Sequence, residues 1–239
     1  YGDHRDLHSF PTRRSSDLNG YGADIFGEEK VGGYAQNGEG NGWFNGYYDN
    51  HGERVEGIVN DSVRMMLTGQ VFSIMAGTAD EAQVAAIAKS ADKYLYREEV
   101  GGYRLNTDFK ELKTDLGRMF GFSYGDKENG AVFSHMAVMY ANALYKRGFA
   151  KEGFTSLNAL EKQAMNFEVS RIYPGIPEYF NGRGRGMYHY LTGAASWYML
   201  TVITEMFGIK GALGDMVLEP NDLSFENIEI INKLQPFGS

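Results

Sequence analysis

The chain is organised around the stretch Arg171-Ile-Tyr-Pro-Gly-Ile-Pro-Glu178-Tyr-Phe-Asn-Gly-Arg183-Gly-Arg185-Gly-Met-Tyr-His189-Tyr-Leu-Thr192-Gly-Ala-Ala-Ser-Trp197. Two prolines and four glycines stand in its first sixteen residues, so this part is predicted to be a loop. The loop carries aromatic, arginine and glutamate side chains, and it leads into an apolar run that starts at Thr192. A long loop of this composition that leads into a helix is more often functional than decorative.

Apolar residues recur at helical spacing on both sides of this loop. The pattern predicts helices over 62–75, 78–96, 130–146, 152–169 and 193–207. The helices that start at Gly130 and Gly193 are apolar nearly all round, which predicts that they are buried on every side. The helix that starts at Glu152 is amphipathic and is predicted to pack beside them.

The order of loops and helices favours two concentric helical layers. Long loops precede the buried helices and short loops follow them, as in an α/α barrel whose long loops gather at one end. A plain helical bundle is the alternative, although bundles prefer short loops at both ends. The predicted fold class is mainly α, with the C-terminal helices of an incomplete α/α barrel over 19–210. Residues 211–239 are predicted to begin a β domain, with a strand over 228–231.

The first eighteen residues are expected to have no part in the fold. Residues 1–18 resemble the translation of a common sequencing adapter. We therefore treat them as an artefact and expect the natural protein to have been cut upstream of Asn19.

Composition narrows the classes of function. The net charge of -8 argues against a nucleic-acid partner. The chain has no cysteine, so it has no disulfide or thiolate site, which fits a cytoplasmic location. No window approaches the roughly 18–20 apolar residues of a membrane span, so no membrane is predicted for this domain. No metal-ligand spacing or nucleotide-type phosphate loop is present, so neither a metal nor a cofactor is predicted.

Two of the predicted helices start directly after glycine-bearing loops. Asn129 and Thr192 are predicted N-caps, and a helix N-terminus with small residues favours an anion. His135 lies about a turn and a half into the first helix. Each residue has a structural alternative: His135 as a hydrogen-bonded core histidine, Thr192 as a simple cap, and Glu128 as a solvated loop carboxylate.

The loops interleave aromatic residues with Arg, Asp, Glu and Asn. This mixture suits a sugar, because aromatic faces stack on pyranose rings while polar groups bind hydroxyls. Buried core aromatics are the competing explanation.

Seven motifs in chain order resemble glycoside hydrolase family 94, the inverting phosphorylases that include cellobiose phosphorylase. The nearest resemblance is to β-1,2-oligoglucan phosphorylases and to the phosphorylase domain of cyclic β-1,2-glucan synthases. The motifs are Trp43-Phe-Asn-Gly-Tyr-Tyr-Asp49, Leu67-Thr-Gly-Gln-Val-Phe72, Val100-Gly-Gly-Tyr-Arg-Leu-Asn-Thr-Asp-Phe109, Lys127-Glu-Asn-Gly-Ala-Val-Phe-Ser-His-Met136, Ile172-Tyr-Pro-Gly-Ile-Pro-Glu-Tyr-Phe180, Gly184-Arg-Gly-Met-Tyr-His-Tyr-Leu-Thr-Gly193 and Leu213-Gly-Asp-Met-Val-Leu-Glu-Pro220. The resemblance implies an (α/α)6 barrel followed by a C-terminal β-sandwich.

The resemblance also implies site residues. The phosphate-binding residues would be His135, Thr192, Gly193 and Ala194, the last standing where the family has serine. The expected substrate-binding residues are Glu128, Asn129, Arg104, Asp108, Glu178 and Arg185. The family's general acid is an aspartate in a Gly-Asp-Trp-Asn-Asp type motif, which does not occur between Asn19 and Trp43. No catalytic residue is therefore assigned, and the chain is expected to be an inactive fragment.

The implied reaction transfers a terminal glucosyl unit from a β-glucan oligosaccharide to inorganic phosphate, which acts as a co-substrate. The phosphate is itself the nucleophile, so this chemistry needs one acid and no base. The expected partners are the oligosaccharide and phosphate, and a homodimer of the full-length protein is left open. Two other functions also remain open: a chain-trimming domain of a cyclic glucan synthase, and a non-catalytic carbohydrate-binding helical module.

Overall fold

The computed structural model describes residues 34–36, 39–46, 48–113, 116–172, 175–189 and 192–221. The segment 1–18 and the predicted strand over 228–231 lie outside these residues. Helix accounts for 44% and strand for 19% of the structure. None of the helices in the described part of the chain is both long and apolar enough to span a membrane.

The helices occupy the positions at which apolar periodicity is strongest. The α-helices are α1 (Leu67–Met75), α2 (Glu81–Tyr94), α3 (Ser134–Lys146), α4 (Ala150–Met165), α5 (Phe167–Ser170) and α6 (Gly193–Thr201). A π-helical segment, Val202–Met206, continues α6. Two short 3-10 turns cover Glu98–Val100 and Arg118–Gly121.

Short antiparallel strands lie in the segments that connect and flank the helices. The strands are β1 (Tyr34–Gln36), β2 (Gly42–Phe44), β3 (Gly57–Val59), β4 (Ser62–Arg64), β5 (Tyr96–Arg97), β6 (Gly102–Tyr103), β7 (Val132–Phe133), β8 (Tyr179–Phe180), β9 (Gly186–Met187), β10 (Ile209–Ala212) and β11 (Asp215–Leu218). The pairs β1–β2, β3–β4, β5–β6 and β10–β11 form two-stranded sheets, and β7–β8–β9 form a three-stranded sheet.

The predicted fold class is therefore wrong. The described residues form a mixed α/β structure with several small antiparallel sheets, rather than a mainly α, incomplete α/α barrel. The physical reason is that the backbone N–H and C=O groups of the connecting segments need partners, and pairing as hairpins supplies them. The hairpin of β10 and β11 also begins at Ile209, before the predicted start of the β domain at 211.

Two predicted helix starts also need correction. Residues 62–64 form β4, so the first helix begins only at Leu67. The next core helix begins at Ser134 rather than Gly130, because Gly130 has a left-handed φ of 74° that a right-handed helix cannot contain. His135 is consequently the second residue of α3 and lies in its first turn.

The helix α3 lies at the centre of the molecule, packed against α1, α4 and α6. One face of α3 contributes Tyr140 and Leu144 to a core shared with α1 and α2. Another face contributes Val138 and Ala141 to a core shared with α4 and β8. The prediction that this helix is buried holds for most of its residues, since both faces have apolar neighbours, whereas His135 is only partly buried and Lys146 at its end is exposed.

A buried carboxyl group anchors the start of α1. The side-chain oxygens of Glu56 accept the backbone N–H groups of Gly46 and Met66, each at 2.7 Å, and Met66 immediately precedes α1. Burial raises the pKa of Glu56 to about 8, although both N–H donors oppose this shift.

Candidate functional site

The three-stranded sheet joins two segments that are far apart in the sequence. In its register Val132 lies opposite Phe180, and Tyr179 lies opposite Met187. The sheet therefore places the segment before α3 beside the segment from 171 to 189. We call this sheet, with the starts of α3 and α6 beside it, the wall of the candidate site.

His135 lies at the contact between α3 and α6. Its ring centroid is 5.7 Å from that of Trp197, and a Cβ added to Gly193 would lie 3.0 Å from His135 Cε1. The nitrogen Nε2 of His135 is enclosed and has no hydrogen-bond partner. An enclosed polar atom without a partner costs about 1–3 kcal/mol, and such atoms often mark a ligand or catalytic role.

Thr192 caps the helix that faces this histidine. Its hydroxyl oxygen accepts the backbone N–H of Ala194 at 3.2 Å, so the predicted N-cap is found at the predicted residue. Because Gly193 and Ala194 have no side chain or a small one, the His135 ring can lie close to the first turn of α6. The positive end of the α6 dipole thus lies beside the His135 ring.

Asn129 does not cap a helix, contrary to the prediction. The cap position of α3 is Phe133, whose side chain makes no capping hydrogen bond. Asn129 instead closes a turn, with its backbone N–H donating to Asp126 O at 3.0 Å. Its amide group donates to Phe122 O at 2.8 Å and accepts from Asn106 at 3.0 Å.

Glu128 projects from the same turn. Its Oε1 pairs with Arg118 Nη2 at 2.7 Å, whereas its Oε2 is enclosed and has no hydrogen-bond partner. The simple picture of a solvated loop carboxylate therefore does not describe both oxygens. One oxygen is held by a cation, and the other could accept a hydrogen bond from a ligand hydroxyl.

Arg104 and Asp108 line one cavity of about 330 Å³, together with Tyr94 and Tyr124. Arg104 donates to Gly130 O at 2.9 Å, and its guanidinium group lies 5.2 Å from the Tyr124 ring centroid. Arg104 is thus tied to the loop that carries Glu128. The exposed Asp108 accepts the N–H of Lys110 at 2.9 Å.

The remaining predicted residues lie along the hairpin of β8 and β9. Glu178 accepts the backbone N–H of Ser134 at 2.9 Å through its carbonyl oxygen, which places it at the start of α3. Arg185 is exposed, and its backbone N–H donates to the Asn181 side chain at 3.1 Å. The structure therefore brings His135 and Gly193 into contact, whereas Arg185 lies on the outside of the hairpin.

Sequence reasoning missed two residues that organise this wall. Asn106 is fully buried, and its Oδ1 accepts the N–H of Gly130 at 2.7 Å. Trp197 packs on His135 and lies four residues after Gly193, which is the spacing of one helical turn. That spacing was the available signal for Trp197, whereas nothing in the local sequence of Asn106 reveals its long-range partner.

The family model of the glycosyl hydrolase 94 superfamily, catalytic domain, matches residues 26–208. The chain belongs to this family, and the resemblance read from its motifs is confirmed at that level. It is 25% identical over 181 residues to cellobionic acid phosphorylase of Neurospora crassa, covering 70% of this chain and 22% of that protein. It is 26% identical over 190 residues to solabiose phosphorylase of Paenibacillus borealis, covering 74% of this chain and 24% of that protein.

A third relative is N,N'-diacetylchitobiose phosphorylase of Vibrio proteolyticus, 22% identical over 189 residues, covering 75% of this chain and 23% of that protein. The chain thus spans less than a quarter of the length of these curated relatives. All three are named phosphorylases of saccharides. A particular closeness to β-1,2-oligoglucan enzymes stays a prediction.

Proposed function

We propose that this chain supplies the phosphate-binding wall of an inverting glycoside phosphorylase that acts on β-linked gluco-oligosaccharides. The observation that carries the proposal is the enclosed, unpartnered Nε2 of His135 beside Gly193, at a helix start capped by Thr192. An imidazole N–H and a helix N-terminus both favour a bound anion. Because Nε2 is enclosed, the anion reaches it only after the covering groups move.

The reaction would form a bond between a phosphate oxygen and the anomeric carbon of the terminal glucosyl unit. The bond from that carbon to the glycosidic oxygen breaks on the opposite face, and an acid protonates the leaving oxygen. Inversion of a β-linked substrate then gives α-glucose 1-phosphate. The acid is not assigned to any residue of this chain, and no metal or cofactor takes part in the proposed reaction.

The proposed saccharide surface lies around the loop of Glu128. The unpartnered Oε2 of Glu128 suits a sugar hydroxyl as its donor, and Asn129 adjoins it in the same turn. The cavity lined by Arg104, Asp108 and Tyr124 offers both charged groups and an aromatic face. A β-1,2 linkage is the more specific proposal, and it rests on the motif resemblance alone.

The test uses the full-length gene product with β-1,2-, β-1,3- and β-1,4-linked glucose disaccharides, each with and without inorganic phosphate. We expect α-glucose 1-phosphate only when phosphate is present, with the β-1,2-linked substrate turned over fastest. Equal sugar release without phosphate would contradict phosphorolysis. Faster turnover of a β-1,3- or β-1,4-linked substrate would contradict the proposed β-1,2 specificity but not phosphorolysis.

The variant His135→Ala tests the site itself. We expect it to lower kcat/KM for phosphate by about 100-fold or more, since it removes an enclosed donor to the anion. The exposed His51 provides the matched control, and His51→Ala should leave the rate unchanged. Unchanged phosphorolysis in His135→Ala would refute the assignment, and saccharide binding without any turnover in the unmodified protein would favour a binding module.

A further inference from the structure

The backbone of Lys127 adopts a conformation that lysine normally avoids. Its φ is 48°, in the left-handed region, within the turn from Asp126 to Asn129. This residue directly precedes Glu128. The conformation persists only if the surrounding structure holds it.

Two aromatic rings hold the side chain of Lys127. Its Nζ lies 5.1 Å from the ring centroid of Phe122 and 5.0 Å from that of Tyr188. Phe122 belongs to the same loop as Lys127, whereas Tyr188 follows β9 on the other side of the wall. The ammonium group therefore ties the turn that carries Glu128 to the hairpin of β8 and β9.

A backbone contact fixes the same junction. Gly182 donates its N–H to Gly125 O at 2.6 Å, and a Cβ on Gly125 would lie 3.0 Å from Gly182 Cα. The loop and the hairpin thus meet at a glycine pair and again at Lys127. Rotation of the turn relative to the hairpin is restricted at both points.

The ring of Phe122 also contacts a second cation. Arg118 places its guanidinium carbon 5.5 Å from the Phe122 centroid and pairs with Glu128 Oε1 at 2.7 Å. One aromatic ring thus supports both the turn before Glu128 and the cation that binds its carboxylate. The enclosed Oε2 of Glu128 is the atom that this arrangement leaves without a donor.

We propose that Lys127 is a positioning residue that orients Glu128 towards a hydroxyl of the bound saccharide. This inference rests on the proposed function and deepens it. Lys127 acts through Glu128 and does not itself touch the reacting atoms. Its removal should weaken binding of the saccharide and leave binding of phosphate unaffected.

The test measures phosphorolysis by the full-length gene product, with the gluco-oligosaccharide and inorganic phosphate varied in turn. We expect Lys127→Met to raise the KM for the saccharide about threefold to thirtyfold, from the loss of two cation–π contacts. The KM for phosphate should stay within about twofold. Lys127→Arg should keep the saccharide KM near that of the unmodified protein, because it keeps the cation.

Two further variants separate positioning from a purely structural role. Lys127→Gly relieves the left-handed backbone, so we expect an unchanged or higher melting temperature together with a raised saccharide KM. In a Glu128→Gln background, Lys127→Met should add little further effect, since both changes act on the same contact. A normal saccharide KM in Lys127→Gly, or fully additive effects, would overturn the proposal.

The unmodified protein separates this inference from the function on which it rests. Absence of phosphate-dependent turnover would refute the proposed function. In that case calorimetric titration of the gluco-oligosaccharide into the unmodified protein and into Lys127→Met decides the role of Lys127. Equal affinities would overturn it, and weaker binding by the variant would support it.

Discussion

The two helices that carry the candidate site have a similar apolar composition and different surroundings. Both α3 and α6 are apolar, and neither has an acidic residue in its first turn. The helix α3 is enclosed by neighbours and contributes to two core clusters. In α6 the inner residues Ala194 and Thr201 are buried, whereas Met199 is 59% exposed and Leu200 is 47% exposed.

The difference shows that an apolar helix can be buried, but that the elements packed against it decide which of its residues are. The prediction that α6 is buried on every side is wrong for its outer face. Its inner face is fixed to α3 by the Asn142 amide, which donates to the Thr201 hydroxyl at 3.2 Å. The candidate site lies at this inner contact, so its geometry depends on the packed side of α6.

The largest expected effect compares one leucine on each helix. Leu144 of α3 is fully buried, and Leu144→Ala should reduce the free energy of unfolding by about 2–5 kcal/mol. Leu200→Ala on the outer face of α6 makes the same chemical change and should cost less than about 1 kcal/mol. Urea unfolding of the two variants measures this difference. Similar losses would show that the outer face of α6 is packed in solution.

An intermediate effect is expected where the two helices touch. The Cβ of Gly193→Ala would lie 3.0 Å from His135 Cε1, so the ring has to move. We expect the KM for phosphate to rise about tenfold, which corresponds to about 1.4 kcal/mol. Gly211→Ala is the control, because no atom lies within 4 Å of the added group. A normal phosphate KM in Gly193→Ala would show that the ring tolerates displacement.

The smallest effect concerns the starts of the two helices. Of these two helices, α6 has a side-chain cap and α3 has none, so Thr192→Val should lower the free energy of unfolding by about 1 kcal/mol. Thr192→Ser keeps the hydroxyl and should behave like the unmodified chain. Thermal unfolding followed by circular dichroism distinguishes the two. An equal loss in Thr192→Ser, which keeps the hydroxyl, would show that the cap is not the cause.

Periodicity predicted the helices because each presents several apolar residues at a regular spacing. It did not predict most of the sheets, because strands of two to four residues are too short to show a clear alternation. The start of α3 was misplaced because the apolar run continues through β7, where the left-handed Gly130 and the extended backbone of Phe133 exclude a helix. The burial of α6 was overestimated because the sequence of a helix does not show which other elements pack against it.

The candidate site was predicted in part. Thr192 was identified as a cap from its position before small residues, whereas the pairing of His135 with Gly193 followed from the family resemblance. Their roles in binding phosphate stay predictions. The contact of Lys127 with Tyr188 could not be predicted, because it depends on how β8 and β9 pair with β7.

The buried Glu56 makes the folded state a proton acceptor. Its pKa is about 8 in the folded protein against an ordinary value of 4.5, so folding takes up a proton at pH values between these limits. The stability that this proton contributes is complete below about 4.5 and is lost as the pH rises through about 8. Alkaline solution therefore destabilises the fold by leaving a buried charge at Glu56, although the two N–H groups that anchor α1 favour the ionised carboxylate.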